Sequence, residues 1–326
     1  MQVFKKQLDK AENFLSQRVL DGAYGLECKD EYRKYTRLNG KGQIVSACFV
    51  AEALRDRMKE PVRTTLLVRI LSEEISGLWG YTPRGYRITN ANEPFLVDAD
   101  DTAFAIRAMK ALEVYKTPKR VLTFFNTQLD AFSTFKSKSV NTEYSQVQNE
   151  KMHFAFHPEV NANVLTALHG TDFEKKVSAA WVNKWQNEMG FFESYFYPGH
   201  FYSTATFVNY LRHYPEYWFN ITKAADYMAA IQNKDGSWGE FGNAAYTAWA
   251  LMVLYSQTAQ YETNIRKAVE YLASSQNEDG SWQNNNVFWQ FYNTEHNVFW
   301  YARDINHIIT TSLCYIVISE YKKHAV

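Results

Sequence analysis

The chain has 326 residues, enough for one large domain or two modest ones, and its 35 Lys and Arg balance its 35 Asp and Glu. With no net charge, nothing draws it to nucleic acid or an anionic membrane surface, and no run of about 18 apolar residues offers a transmembrane span. Cys28, Cys48 and Cys314 lie far apart without CxxC spacing, so neither a disulfide framework nor a zinc cluster is expected, which suits a cytoplasmic protein.

A first helix is predicted over MQVFKKQLDKAENFLSQ, whose apolar residues fall at helical spacing rather than in the run of a signal peptide. A turn with Gln17, Gly22 and Tyr24 follows, then an apolar helix from about Gln43. The next turn, SEEISGLWGY, keeps Gly77 and Trp79; after a loop with Arg84 and Arg87, PFLVDADDTAFAIRAMKAL opens a second apolar helix near Asp100. FFNTQLDAFST holds Gln128 and Phe132 without the glycine, and HPEVNANVL starts a third apolar helix near Pro158, with Asn161 and Asn163 in its first turns. WVNKWQNEMGFF gives Gln186, Gly190 and Phe192, ahead of a fourth helix that begins at Tyr202, just after His200. The last two turns nearly copy each other, as Gln232, Gly236, Trp238 and Gln276, Gly280, Trp282, 44 residues apart. Between them AAYTAWALMVLYS is apolar nearly all round and carries Tyr246 and Trp249. The stretch between Gln283 and Asp304 then breaks the repeat with two Phe-Trp pairs, before a sixth apolar helix near Ile305 that carries His307.

A fixed period of this size marks a repeat architecture. Each unit reads as an amphipathic helix, a turn, and a helix apolar on nearly every side, so the first lies outside and the second inside. Six such pairs curving back on themselves predict an all-α fold. It is an α/α toroid of six helical hairpins, an (α/α)6 barrel spanning 1–326 as one domain, with twelve principal helices in two layers and no substantial sheet. The glutamines and aromatics of the turns read as structural, capping helix ends and packing on the neighbouring repeat. The inner helix ends would surround a central cavity. Asn161, Asn163, His200, Tyr202, Tyr246, Trp249 and His307 are substrate-binding candidates by position, although caps and satisfied buried polar groups account for such residues equally well. Arg84 and Arg87 could hold a diphosphate as guanidinium forks.

The chemistry concentrates in DADDTA. Asp98, Asp100 and Asp101 open the second inner helix, where Asp and Thr also serve as caps and meet the positive end of the helix dipole. Three carboxyls in four residues go further: in a dry cavity they cannot all ionise, and repulsion with desolvation raises the pKa of at least one. A carboxylic acid held protonated at neutral pH is a proton donor. The aromatics, 16% of the chain, fit a cavity that shelters a cation, each ring face giving roughly 2 kcal/mol or more when water is excluded.

The Gln-x3-Gly-x-Trp turns resemble the QW repeats of squalene–hopene cyclases, and DADDTA resembles the DxDDTA acid motif of the class II terpene cyclases. The likeness spans nearly the whole chain. It implies cyclisation of a linear small-molecule isoprenoid, begun by protonation, with Asp100 as the donor and Asp98 and Asp101 polarising or holding it. Familiar members use two or more helical domains, whereas this chain suffices for one toroid. Its cavity must then be completed by its own loops or a partner, a homo-oligomer being one arrangement, and a C15 or C20 prenyl diphosphate fits better than squalene. Protonation needs no cofactor and no metal; Mg2+ would enter only with a diphosphate. The aspartate-rich metal motif of ionisation-type synthases is absent, as is the zinc-binding Asp/Cys/His set of protein prenyltransferases. The alternative is a non-catalytic toroid that binds a lipid or a protein.

Overall fold

The computed structural model describes residues 2–24, 26–30, 44–80, 97–127, 130–135, 157–240, 242–284, 287–293 and 298–324. Among the described residues the chain runs as six pairs of helical elements. α1 (Gln2–Leu20) precedes α2 (Ile44–Leu54), α3 (Val62–Ser72) precedes α4 (Ala99–Ala111), and a 3-10 helix (Pro118–Phe124) precedes α5 (Pro158–Leu168). α6 (Ala179–Trp185) precedes α7 (Phe201–Leu211), α8 (Trp218–Ala230) precedes α9 (Ala244–Leu254), and α10 (Glu262–Ser275) precedes α11 (Ile308–His324). The second members pack side by side in the order α2, α4, α5, α7, α9, α11, and α11 returns to α2, so the inner ring is closed.

Burial separates the two layers. α4 buries every residue except Arg107 and Lys110, and α9 every residue except Tyr246 and Met252. α10 buries only Ile265, Ala268, Val269 and Leu272, the single stripe of a helix lying on a core. Fully buried alanines on the inner helices, among them Ala47, Ala103, Ala162 and Ala248, leave room for neighbouring backbones to approach.

The turns weld each repeat to the next. Gln186 Nε2 donates to the carbonyls of Gly190 (2.7 Å) and Asn220 (2.8 Å), so it spans its own turn and the start of α8. Gln232 repeats this with Gly236 and Asn264 of α10. Gln276 does so with Gly280 and with Gln7 of α1, tying the last outer helix to the first. The turn glycines are forced twice over. Gly236 has φ +91, and a Cβ there would lie 2.4 Å from the Lys267 carbonyl oxygen; Gly280 has φ +93 and the same clearance from Lys10. The indole N–H groups of Trp79, Trp238 and Trp282 donate back to Ile70, Met228 and Leu272 of the preceding outer helices.

Two features depart from the sequence expectation. The third outer element is a 3-10 helix, followed by a short antiparallel pair, β2 (Phe125–Asn126) and β3 (Ala131–Phe132); Pro118 and the lost turn glycine remove the usual helix and turn signals there. The stretch that breaks the repeat between Gln283 and Asp304 forms an antiparallel pair, β4 (Val287–Asn293) and β5 (Val298–Arg303), to which β1 (Glu27–Asp30) adds. The resulting sheet is antiparallel in the order β1-β5-β4, so the toroid does carry a small sheet. Its aromatic and β-branched residues are strand formers, and the break in the helical repeat frees them to pair.

Candidate active site

A register common to five units fixes where the site residues stand. The turn aromatic of a unit donates its backbone N–H to a side-chain oxygen in the first turns of the following inner helix: Trp79 to Thr102, Phe192 to Thr204, Trp238 to Thr247 and Trp282 to Thr311, at 3.0 to 3.1 Å. On α5 the same place is taken by Asn161, whose Oδ1 accepts from Phe132 N at 2.7 Å. Thr102, the threonine of DADDTA, is therefore part of the frame. Two residues before it in this register stands Asp100, and the equivalent position on α5 is Glu159.

Asp98 caps α4 in extended backbone (φ −135, ψ 167), its Oδ1 accepting from Asp101 N at 2.8 Å. Its own N–H donates to the Trp79 carbonyl, and Ala99 N donates to Thr134 O, so the helix start is stitched on both sides. The Asp101 carboxyl is buried and hydrogen-bonded to that of Asp98. Burial first, then repulsion from Asp98 and Asp100, holds the Asp101 pKa well above the usual carboxylate range.

Asp100 has a different environment. Its Oδ1 accepts from Asn163 Nδ2 (2.9 Å) and its Oδ2 from the Tyr197 hydroxyl (3.1 Å). Burial pushes its pKa up to about 6, opposed by those two hydrogen bonds and by Arg107. Asn163 is itself oriented, since Arg107 Nη1 donates to its Oδ1 at 2.6 Å while Arg107 Nη2 pairs with Glu52 at 2.5 Å. This carboxyl can give up a proton near neutral pH and then rest as an anion on two fixed donors.

Aromatic rings from all around the ring gather beside it. Tyr197 stacks on Tyr202 (centroids 3.7 Å) and meets Phe288 edge-on at 5.5 Å. Trp249 lies 5.5 Å from Tyr202 and 6.1 Å from Phe288, and Phe49 joins Phe288 to Phe104. Phe288 comes from β4 and is buried, and Gln290 N donates to the Phe196 carbonyl at 2.7 Å, so the hairpin seats one of its rings among those of the inner helices.

The other sequence candidates are distributed differently. Asn163, Tyr202 and Trp249 belong to this network, and Tyr246 joins it by stacking on Trp249 at 5.9 Å. Asn161 spends its amide on Phe132 and the His157 carbonyl, which makes it a frame residue. His200 faces the outer layer: its Nε2 meets the Tyr227 hydroxyl of α8 (3.2 Å), it stacks on Phe201, and burial lowers its pKa to about 4. His307 precedes α11 in left-handed backbone (φ 57), donating its N–H to Asp304 O. Arg84, Arg87 and Gln128 lie outside the described residues. Tyr197, Arg107, Glu159 and Phe288 were not anticipated; for Glu159 the signal was available in the alignment of Asn161 with Thr102. An open groove of about 660 Å3 beside Phe201, Asn233, Lys234 and Glu240 shares no side chain with the Asp100 network. Among the described residues no group of three His, Cys, Asp or Glu could hold a metal, and no helix is long and apolar enough to cross a membrane.

The sequence matches the prenyltransferase alpha-alpha toroid domain over residues 125–287, half of the chain, and the protein belongs to that family. No curated protein matches it. The structure is similar to the type II terpene cyclase MstE from Scytonema, with a TM-score of 0.76 at 17% identity over 99% of this chain and 98% of that one. A variant of MstE in complex with geranylgeranyl dihydroxybenzoate, its substrate, gives 0.74 over 97% of each chain, also at 17% identity. The protein geranylgeranyltransferase-I of Candida albicans gives 0.58 at 12% identity, over 98% of this chain and 92% of that one. The same toroid thus serves unlike chemistries, and the side chains within it must decide which one applies.

Proposed function

We propose that this chain is a class II terpene cyclase, with residues 1–326 acting as one cytoplasmic catalytic domain on a linear C15 or C20 isoprenoid. The observation that carries the reading is Asp100: a buried carboxyl with a pKa of about 6, fixed by Asn163 and Tyr197 beside a wall of aromatic rings. The Asp100 O–H proton goes to the CH carbon of the terminal trisubstituted alkene, whose π bond breaks, or to the oxygen of a terminal epoxide, whose C–O bond opens. Either step leaves a tertiary cation, which successive double bonds attack to close rings, and leaves Asp100 as the carboxylate. Loss of a proton, or capture of water, ends the cascade, and solvent returns a proton to Asp100. Tyr202, Trp249 and Phe288 stabilise the cation through their ring faces and keep water away.

The size preference rests on the single ring and on MstE, a chain of matching extent whose substrate carries a geranylgeranyl group. The polar head group is either a diphosphate, with Arg84 and Arg87 as its forks and Mg2+ as its counterion, or an aromatic acid. Incubation of the purified protein with farnesyl diphosphate, geranylgeranyl diphosphate, geranylgeranyl dihydroxybenzoate and squalene, with identification of products, tests this. Cyclic products from a C15 or C20 probe, lost in Asp100→Asn, are expected. Cyclic products that persist in that variant overturn the acid assignment, and squalene as the preferred substrate overturns the size argument. A protein that binds a probe but never cyclises one is a lipid-binding toroid.

A further inference from the structure

Glu159 occupies on α5 the position that Asp100 occupies on α4, and it is completely buried. A buried carboxylate is costly unless something returns the energy. Its Oε1 accepts two backbone N–H groups, from Tyr195 (2.7 Å) and Phe196 (2.8 Å), while Oε2 is buried without a partner. The residue after those two is Tyr197, the hydroxyl donor to Asp100. The carbonyl of Phe196 is the acceptor for Gln290 of the hairpin that brings in Phe288. One carboxyl group, whose pKa burial pushes up to about 7, thus grips the short loop on which both a partner of the acid and the seat of the hairpin depend.

We propose that Glu159 is a positioning residue of the acid: by holding the backbone of Tyr195 and Phe196 it delivers the Tyr197 hydroxyl to Asp100 and provides the docking point for the β4–β5 hairpin. The catalytic consequence rests on the reading of Asp100 as the proton donor. The link is mechanical. The loop has its own turn, Tyr197 N donating to Ser194 Oγ at 3.2 Å, and Glu159 adds the two hydrogen bonds from the Tyr195 and Phe196 amides. Among the described residues the groups facing Asp100 are Asp98, Asp101 and Arg107 on its own helix, Glu159 and Asn163 on α5, Tyr197 in the loop and Tyr202 on α7, with Cys48 and Glu52 on α2 behind Asp101 and Arg107. Of these, Tyr197 is the donor that moves if the loop is released.

The experiment uses the free full-length protein. Amide hydrogen exchange reads the loop, and NMR titration with aspartate carboxyls labelled in 13C reads Asp100, its resonance assigned by its loss in Asp100→Asn. Glu159→Ala is expected to speed exchange at Tyr195 and Phe196 at least tenfold. It should also raise the titration midpoint of Asp100, because the Tyr197 hydrogen bond that holds it down is lost. Glu159→Gln keeps a carbonyl acceptor for both amides, and burial already pushes the Glu159 pKa up to about 7, above the midpoint of Asp100, so exchange and midpoint should stay near wild type. If Glu159→Ala does not fold, Glu159→Asp, one methylene short of the two amides, takes its place with the same expectations. With geranylgeranyl diphosphate or geranylgeranyl dihydroxybenzoate as probe, cyclisation should fall about tenfold in the Ala variant and recover in the Gln variant. Unchanged exchange, or faster exchange with an unmoved Asp100 midpoint, overturns the proposal. Cyclisation that survives Asp100→Asn instead overturns the acid reading, and the catalytic part of the proposal with it.

Discussion

Asp100 has to be a proton donor in one instant and a stable anion in the next, and its neighbours divide those tasks. Burial lifts its pKa to about 6, while Asn163 and Tyr197 wait for the anion. Asp100→Asn should lower cyclisation by about a thousandfold, within the range of general-acid contributions, as measured by product formation per enzyme. The pH dependence follows from the sign of the shift: the acid must carry its proton, so turnover should fall as pH rises through about 6. Tyr197→Phe removes a hydrogen bond that lowers this pKa, so that limb should move to higher pH; a limb that stays in place would show that the hydroxyl does not reach the acid. Stability has the opposite requirement. A carboxyl whose folded pKa lies above its unfolded value of 3.8 destabilises the fold increasingly as pH rises from about 4 to 6, and by a constant amount beyond. Asp100→Asn should therefore melt higher than wild type at pH 7.5, by a margin on the order of 2 kcal/mol, and the margin should vanish near pH 4.

At the scale of elements, the turns and the inner helix starts form one device repeated around the ring. Glutamine spans to the next outer helix, glycine permits backbone contact with it, and the turn aromatic donates to Thr or Asn on the inner helix. Gly236→Ala should cost about 3 kcal/mol or more, because a left-handed φ and a 2.4 Å approach to Lys267 O must both be relieved. Chemical denaturation measures it, and a loss under about 1 kcal/mol would mean that the turn opens freely. The pattern of glutamines, glycines and turn aromatics was legible in the sequence because the same demand recurs at a fixed place in each repeat. The third turn was legible only as a degenerate copy, through Gln128 and Phe132, since its glycine is absent and an asparagine replaces the threonine.

The whole molecule is held as a closed circle, and its two ends meet through Gln276 and Gln7. Gln276 Nε2 donates to Gln7 O, and Gln7 Nε2 returns a hydrogen bond to Ala273 O at 2.7 Å. The hairpin then seats Phe288 among the lumen rings. Phe288→Ala should leave the ring folded but admit water, so early-quenched or hydroxylated products should grow at the expense of full cyclisation in a product profile. An unchanged profile would remove the hairpin from the cavity wall.

The sequence by itself determined the six-pair repeat, the layer each helix occupies and the acidic run at the start of α4, because periodicity, turn chemistry and charge crowding are local properties. Only the tertiary structure decided which carboxyl stands apart. Asp98 and Asp101 are paired by the geometry of one helix start, whereas Asp100 meets Asn163 from α5 and Tyr197 from a loop 97 residues away. The Tyr197 hydroxyl and the Phe288 ring reach that site through contacts that only the closure of the ring supplies.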